Sequence, residues 1–302
     1  MIQKGFYKDR PAFIVKGKEL EAKILPEDGA KLASLKTVSG RQLLEEAPGE
    51  AYRRLTLAGS YVEAECSAFD DMFPTIDPCE TAGFVYPDHG DVCRVRHRAF
   101  VRDGKLFTSA VSPSVNALFE KEFSADDGGL VVCYRIENQN DASLPCLWAG
   151  HMMFAAREGA EVVTDYREDE FVRVMFGAPP GDGRLGRIGP FRADGESYKY
   201  YYKTSKAPMR CGIRYPDGGL LTVSFEGDFV RWLGVWMNNG SFKEMYNIAL
   251  EPCAAPYDSP VNAGGEGAIL PPHGSASFVM RISWEEGGEE SGRAGSGTWQ
   301  KK

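Results

Sequence analysis

The chain has 302 residues and a net charge of −8, with 43% hydrophobic, 12% aromatic and 26% charged residues. That balance provides material for a large core and excludes a disordered chain. The negative charge, with no Lys/Arg-rich run, speaks against nucleic acid as a partner, and no apolar run approaches the roughly 18 residues of a membrane-spanning helix.

Taken from the N-terminus, the opening MIQKGFYKDRPAF lacks the apolar stretch of a signal peptide, which makes the cytoplasm the expected location. AFIVKGKELEAKIL reads as two strands joined at a Lys-Gly turn. Helix-period segments are almost absent, and EEAPGEAYRRL is the best, weak candidate. KLFTSAVS, VNALFEKEFSA and GLVVCYRIENQN read as three successive strands, the middle one with only partial alternation. The same period of two continues through DYREDEFVRVMF, YKYYYKTS, CGIRYP, GLLTVSFEG, VRWLGVWM, YNIALEP and SASFVMRISW.

About sixteen short strands bounded by turn residues predict an all-β fold, a sandwich or barrel of antiparallel strands. A single domain is expected over residues 1–284. GAPPGDGRLGRIG, residues 177–189, reads as a long surface loop, and residues 285–302 as a disordered tail. The seven cysteines form no CxxC pair and read as reduced thiols.

Chemistry-bearing residues stand out at a few places. In LWAGHMMFAA, His151 interrupts an apolar run, and a buried imidazole without a partner costs about 1–3 kcal/mol. It therefore has either a structural partner or a task. In YNIALEPCAAPYD, Glu251 ends an apolar strand just before Pro252, where its carboxylate either faces a cleft or is simply solvated. FVYPDHGDVCRVRHR places His89 in a tight loop beside Gly90, with Arg94 and Arg96 following. These arginines could meet ligand hydroxyls or a phosphate, or form surface ion pairs. With four histidines and no HxxxH or HExxH spacing, no metal is expected. In FVRWLGVWMNNGS, alternation sets Trp232, Gly234, Trp236 and Asn238 on one face and Leu233, Val235 and Met237 on the other. Trp236 and Asn238 then bind substrate if their face lines a cleft, and belong to the core if it does not. Asp71, in AFDDMFPTIDPCE, either receives a ligand hydroxyl or is a solvated loop carboxylate.

The segment LEAKILPEDGAKLASLKTVSGRQLL, the PDHGDV loop, the strand carrying GHMMF and the IALEP strand end follow one another as in the aldose 1-epimerase, or galactose mutarotase-like, family, which the chain resembles over residues 10–284. The resemblance implies a large antiparallel β-sandwich, the galactose mutarotase-like supersandwich, with a sugar in an open cleft on one sheet. It also implies His151 as general acid, Glu251 as general base and His89 as a second histidine near the ring oxygen. The implied activity is that of an isomerase, interconverting the α and β anomers of an aldose by acid–base ring opening, with no cofactor. Its expected partner is a small-molecule sugar, either a monosaccharide or a sugar phosphate. A non-catalytic sugar-binding protein on the same fold is the alternative, since fold does not fix function. Glycoside hydrolysis would call for two carboxylates about 5–10 Å apart, and only Glu251 is a candidate.

Overall fold

The described residues are built almost entirely from strands. In order these are β1 (Ile2–Tyr7), β2 (Arg10–Lys16), β3 (Leu20–Leu25), β4 (Lys31–Thr37), β5 (Phe69–Met72), β6 (Cys79–Thr81), β7 (Phe84–Tyr86), β8 (Arg98–Arg102), β9 (Lys105–Ser112), β10 (Ala117–Asp126) and β11 (Gly129–Asn138). There follow β12 (Leu144–Cys146), β13 (Ala149–Ala155), β14 (Glu161–Thr164), β15 (Phe171–Phe176), β16 (Ser197–Lys203), β17 (Met209–Arg214), β18 (Leu220–Glu226), β19 (Trp232–Asn239), β20 (Tyr246–Cys253), β21 (Ala268–Leu270) and β22 (Ser275–Glu285). This computed structural model describes residues 1–165, 171–177, 185–203 and 209–287. The tail from residue 288 and residues 178–184 of the expected surface loop lie outside the described residues, as do parts of DYREDEFVRVMF and YKYYYKTS.

Two sheets carry the fold. One has ten strands in the order β1-β2-β3-β4-β5-β13-β20-β19-β16-β15, the other eight in the order β14-β17-β18-β22-β11-β10-β9-β8, and all the pairings are antiparallel. Their facing surfaces enclose the main core, with Trp148 fully buried among Tyr134, Phe225 and Phe278. This is the β-sandwich the sequence predicts.

More strands form than the sequence pattern counts, because β5, β6, β7, β12, β14 and β21 span only three or four residues each, too short to show a period. EEAPGEAYRRL forms no helix. Gly49 takes a left-handed backbone (φ 96) straight after Pro48, and the Tyr52 amide donates to the Asp9 carboxylate, so neighbouring segments satisfy this stretch in place of a helical ladder.

The eight-stranded sheet is buried on one side only, as the alternating burial of β10, β11 and β22 shows. Strands β13 and β20 differ. Nearly every residue in AGHMMFA and YNIALEPC is buried, on both faces. Phe154, Met152, Ile248 and Leu250 enter the main core, whereas Ala149, Met153, Ala249 and Cys253 join a second cluster with Tyr61, Met72, Tyr201 and Trp232. Long loops cover that second face, and His151 and Glu251 share it.

Candidate functional site

Strand register assembles the site. Pairing of β13 with β20 is bracketed by Ala149 opposite Cys253 and Met152 opposite Leu250, which sets His151 across from Glu251. On one side His151 stands opposite Asp70 of β5; on the other Glu251 stands opposite Gly234 of β19, and Gly234 opposite Tyr201 of β16. Residues opposite one another in a ladder point to the same face. One transverse row therefore reads Asp70, His151, Glu251, Gly234, Tyr201. Gly234 leaves the row its room: a Cβ there would come within 3.1 Å of the Tyr201 ring and 3.3 Å of Glu251 Cβ.

His151 Nε2 lies 3.7 Å from Glu251 Oε1, and the two side chains are 8% and 1% exposed. The distance is too long for a hydrogen bond. Among the described residues, His151 Nδ1 and Glu251 Oε1 have no hydrogen-bond partner. The other carboxylate oxygen, Oε2, accepts from Lys199 Nζ at 2.6 Å, and the same ammonium donates to Asp258 Oδ1 at 2.7 Å. Tyr201 also donates its hydroxyl to Asp258 Oδ1. Tyr257 and Asp258 both hold left-handed backbone conformations (φ 62 and 67), rare for residues with a Cβ and often found at functional sites.

Burial moves the two proton affinities toward each other. Desolvation pushes the Glu251 carboxyl up, with Lys199 opposing and Asp258 reinforcing the shift. Desolvation drives His151 well below the usual histidine range, helped by the nearby charges of Lys199 and Lys31.

A third wall comes from the loops. His89 has φ 56, and its amide donates to the Ile76 carbonyl. Gly90 follows at φ 67, where a Cβ would lie 2.2 Å from the Phe73 carbonyl oxygen, so only glycine fits. His89 Nδ1 is 2.9 Å from Asp88 Oδ1. The His89 ring stacks on Tyr61, centroids 4.1 Å apart and planes 9° apart, and Tyr61 meets His151 edge-on at 6.3 Å. Tyr61 also donates its hydroxyl to Asp70 Oδ2 at 3.1 Å, and Asp70 pairs with the buried Lys31. Trp236 completes the enclosure, its ring centroid 5.9 Å from that of His151.

Of the residues singled out in the sequence, His151, Glu251, His89 and Trp236 come together here. Four others are placed elsewhere. Asp71 projects from the opposite face of β5, into the space between the sheets, where it accepts from Lys121 Nζ at 2.6 Å and Trp148 Nε1 at 3.0 Å. Its neighbour Asp70 has the parity that faces the site. Arg94 spends its guanidinium on the carbonyls of Gly90, Thr56, Gly59 and Asp88, tying the His89 loop to the segment that carries Tyr61. Arg96 is exposed and pairs with Glu27. Asn238 is fully buried, and its amide closes the turn to Phe242 by donating to the Phe242 carbonyl and accepting from the Phe242 amide.

Lys199, Asp258, Asp70, Lys31 and Tyr61 were not singled out by sequence reasoning. Among the described residues no group of three or more His, Cys, Asp or Glu is placed to hold a metal ion, and no helix is long and apolar enough to cross a membrane.

A ten- and eight-stranded sandwich with this loop-covered sheet face is the galactose mutarotase-like fold. A galactose mutarotase-like protein from Clostridium acetobutylicum superposes with a TM-score of 0.67 at 13% identity, over 95% of this chain and 98% of that one. A proposed aldose 1-epimerase from Klebsiella pneumoniae gives 0.73 at 14% identity, over 94% and 83%. One from Escherichia coli gives 0.65 at 14%, over 91% and 99%. No family model and no curated protein matches the sequence.

Proposed function

We propose that the protein is an aldose 1-epimerase, interconverting the anomers of a sugar by opening and reclosing its ring. The observation that carries this reading is the His151–Glu251 pair, 3.7 Å apart on the loop-covered face, each with a buried polar atom that has no hydrogen-bond partner among the described residues. Such atoms are costly to keep unless a ligand satisfies them.

The spacing suits the reaction. Anomer exchange moves protons at two oxygens bonded to one carbon, the anomeric hydroxyl and the ring oxygen, so acid and base must sit close together. Glu251 Oε1 takes the anomeric proton while the His151 imidazolium gives one to the ring oxygen. The bond from carbon 1 to the ring oxygen breaks and leaves the open-chain aldehyde. Rotation about the bond from carbon 1 to carbon 2 presents the other carbonyl face, and the same transfers in reverse close the ring. The pair holds one proton before and after each half-reaction. Raising Glu251 makes it a stronger base and lowering His151 makes its imidazolium a stronger acid, so both shifts favour these transfers.

The Tyr61, His89 and His151 rings form a triangle with centroids 4.1, 6.3 and 6.4 Å apart, so a sugar ring that reaches both histidines enters by displacing Tyr61 from His89. Trp236 then offers an apolar ring face to the sugar. Polarimetry of a freshly dissolved α anomer is the test. Wild type accelerates the approach to equilibrium over buffer, and Glu251→Gln and His151→Asn each lose about 10²–10⁴ of the acceleration. Near-full activity in either variant removes that residue from the mechanism. Sugar binding with no acceleration in wild type would instead identify a binding protein on this fold.

A further inference from the structure

Lys199 is buried on β16, where an unpaired ammonium would be prohibitively costly. It is held by Glu251 and Asp258, which sit on β20 and on the segment after it. Both bonds are near the shortest usual length for charge-assisted contacts. Lys199 engages only one oxygen of Glu251, so the carboxylate plane is fixed with the other oxygen turned to His151. Asp258 is fixed in turn by Tyr201.

We propose that Lys199 and Asp258 are positioning residues that act as a pair of opposed controls on the proton affinity of Glu251. This rests on the reading of Glu251 as the base. Lys199 keeps the buried carboxylate ionisable and aims its free oxygen; Asp258 divides the ammonium's charge and so keeps Glu251 a stronger base than a full ion pair would allow. Two carboxylates on one ammonium leave an excess negative charge, which Glu251 relieves by holding its proton more tightly. The other groups facing Glu251 are His151 from β13, His89 from its loop, Tyr201 from β16 and Cys253 from β20, with Asp77 beyond Asp258. Of these, Tyr201 and Cys253 have pKa values raised well above their ordinary ones by burial and are neutral near pH 7. Lys199 and Asp258 are therefore the opposed charges on the oxygen turned away from His151.

The geometry gives the two partners opposite signs. Removing the ammonium makes ionisation of Glu251 harder, and removing the Asp258 charge makes it easier. The test is carbon NMR of protein labelled at the glutamate carboxyl carbon, with the Glu251 resonance assigned by its loss in Glu251→Gln. Lys199→Met should raise the titration midpoint by about one unit or more, and Asp258→Asn should lower it by a comparable amount. The acidic limb of kcat/KM should move with each midpoint, by about tenfold in rate on the acid side per unit.

An unchanged midpoint in Lys199→Met, or displacement of both variants in the same direction as general loosening would produce, overturns the proposal. Should Lys199→Met fail to fold, Asp258→Asn decides alone, a lower midpoint supporting the proposal and an unchanged or higher one overturning it. The titration needs no turnover. A wild type without anomerase activity would sink the epimerase reading while leaving the control of Glu251 readable.

Discussion

Asp71→Asn separates the two faces of β5. The Lys121–Asp71 pair is 2.6 Å long with side chains 2% and 3% exposed, so water screens it little. The amide would leave Lys121 a buried cation whose remaining partner is the Ala30 carbonyl, and would weaken the bond from Trp148 Nε1. Breaking one side of a buried pair costs about 3–5 kcal/mol, a large share of the roughly 5–15 kcal/mol that holds a protein folded. At about 2–4 °C per kcal/mol for a large domain, Tm should fall by roughly 6–20 °C. Urea denaturation followed by tryptophan fluorescence should show the midpoint lowered with the slope unchanged. The KM for sugar should not change at a temperature where the variant is folded. A loss below about 1 kcal/mol, or a raised KM with stability intact, would refute the assignment of this carboxylate to the interior.

Other residues give independent tests. His97 is buried against Phe119 near Lys121, and desolvation lowers its pKa to about 3. A neutral buried histidine contributes stability that is fully present above the unfolded value near 6.5 and is lost as pH falls toward 3. Wild type should therefore lose about 1.5 kcal/mol from this group between pH 6.5 and pH 5, and His97→Gln should show a correspondingly flatter pH dependence in urea melts; equal slopes would contradict it. Gly90→Ala should displace the His89 loop, since its Cβ would collide with the Phe73 carbonyl in a left-handed backbone. Stability should drop by more than about 1 kcal/mol and activity should fall with it, and a wild-type-like variant would show that the loop yields freely. Tyr61→Ala should uncover His151, read as several-fold faster modification of that imidazole by diethyl pyrocarbonate in peptide mapping; unchanged labelling would mean that Tyr61 does not cover it.

Alternation made the sandwich legible because a half-buried strand must present one apolar face, and β9 runs over the same residues as the KLFTSAVS pattern. In β10 the pattern weakens at Lys121, which points inward between Phe119 and Phe123 because Asp71 awaits it across the core. No local signal announces such a partner. The same cause hid much of the site. Lys199 in YKYYYK has the spacing of an ordinary solvated strand lysine, and Asp258 sits in a turn-rich run; only the register of β16, β19 and β20 joins them to Glu251. Asp70 and Asp71 were separable only by parity, which needs the strand's start to be known. His151, by contrast, was conspicuous as a polar group in a strand whose two faces are both buried.

The most direct measurement is magnetisation-exchange NMR at anomeric equilibrium, with a panel of free and 6-phosphorylated aldoses labelled at carbon 1, comparing wild type, Glu251→Gln and buffer. The account predicts faster exchange between the α and β resonances of at least one sugar with wild type, and exchange at the buffer rate with Glu251→Gln. Equal acceleration by wild type and Glu251→Gln, or none by wild type with any sugar, would contradict it.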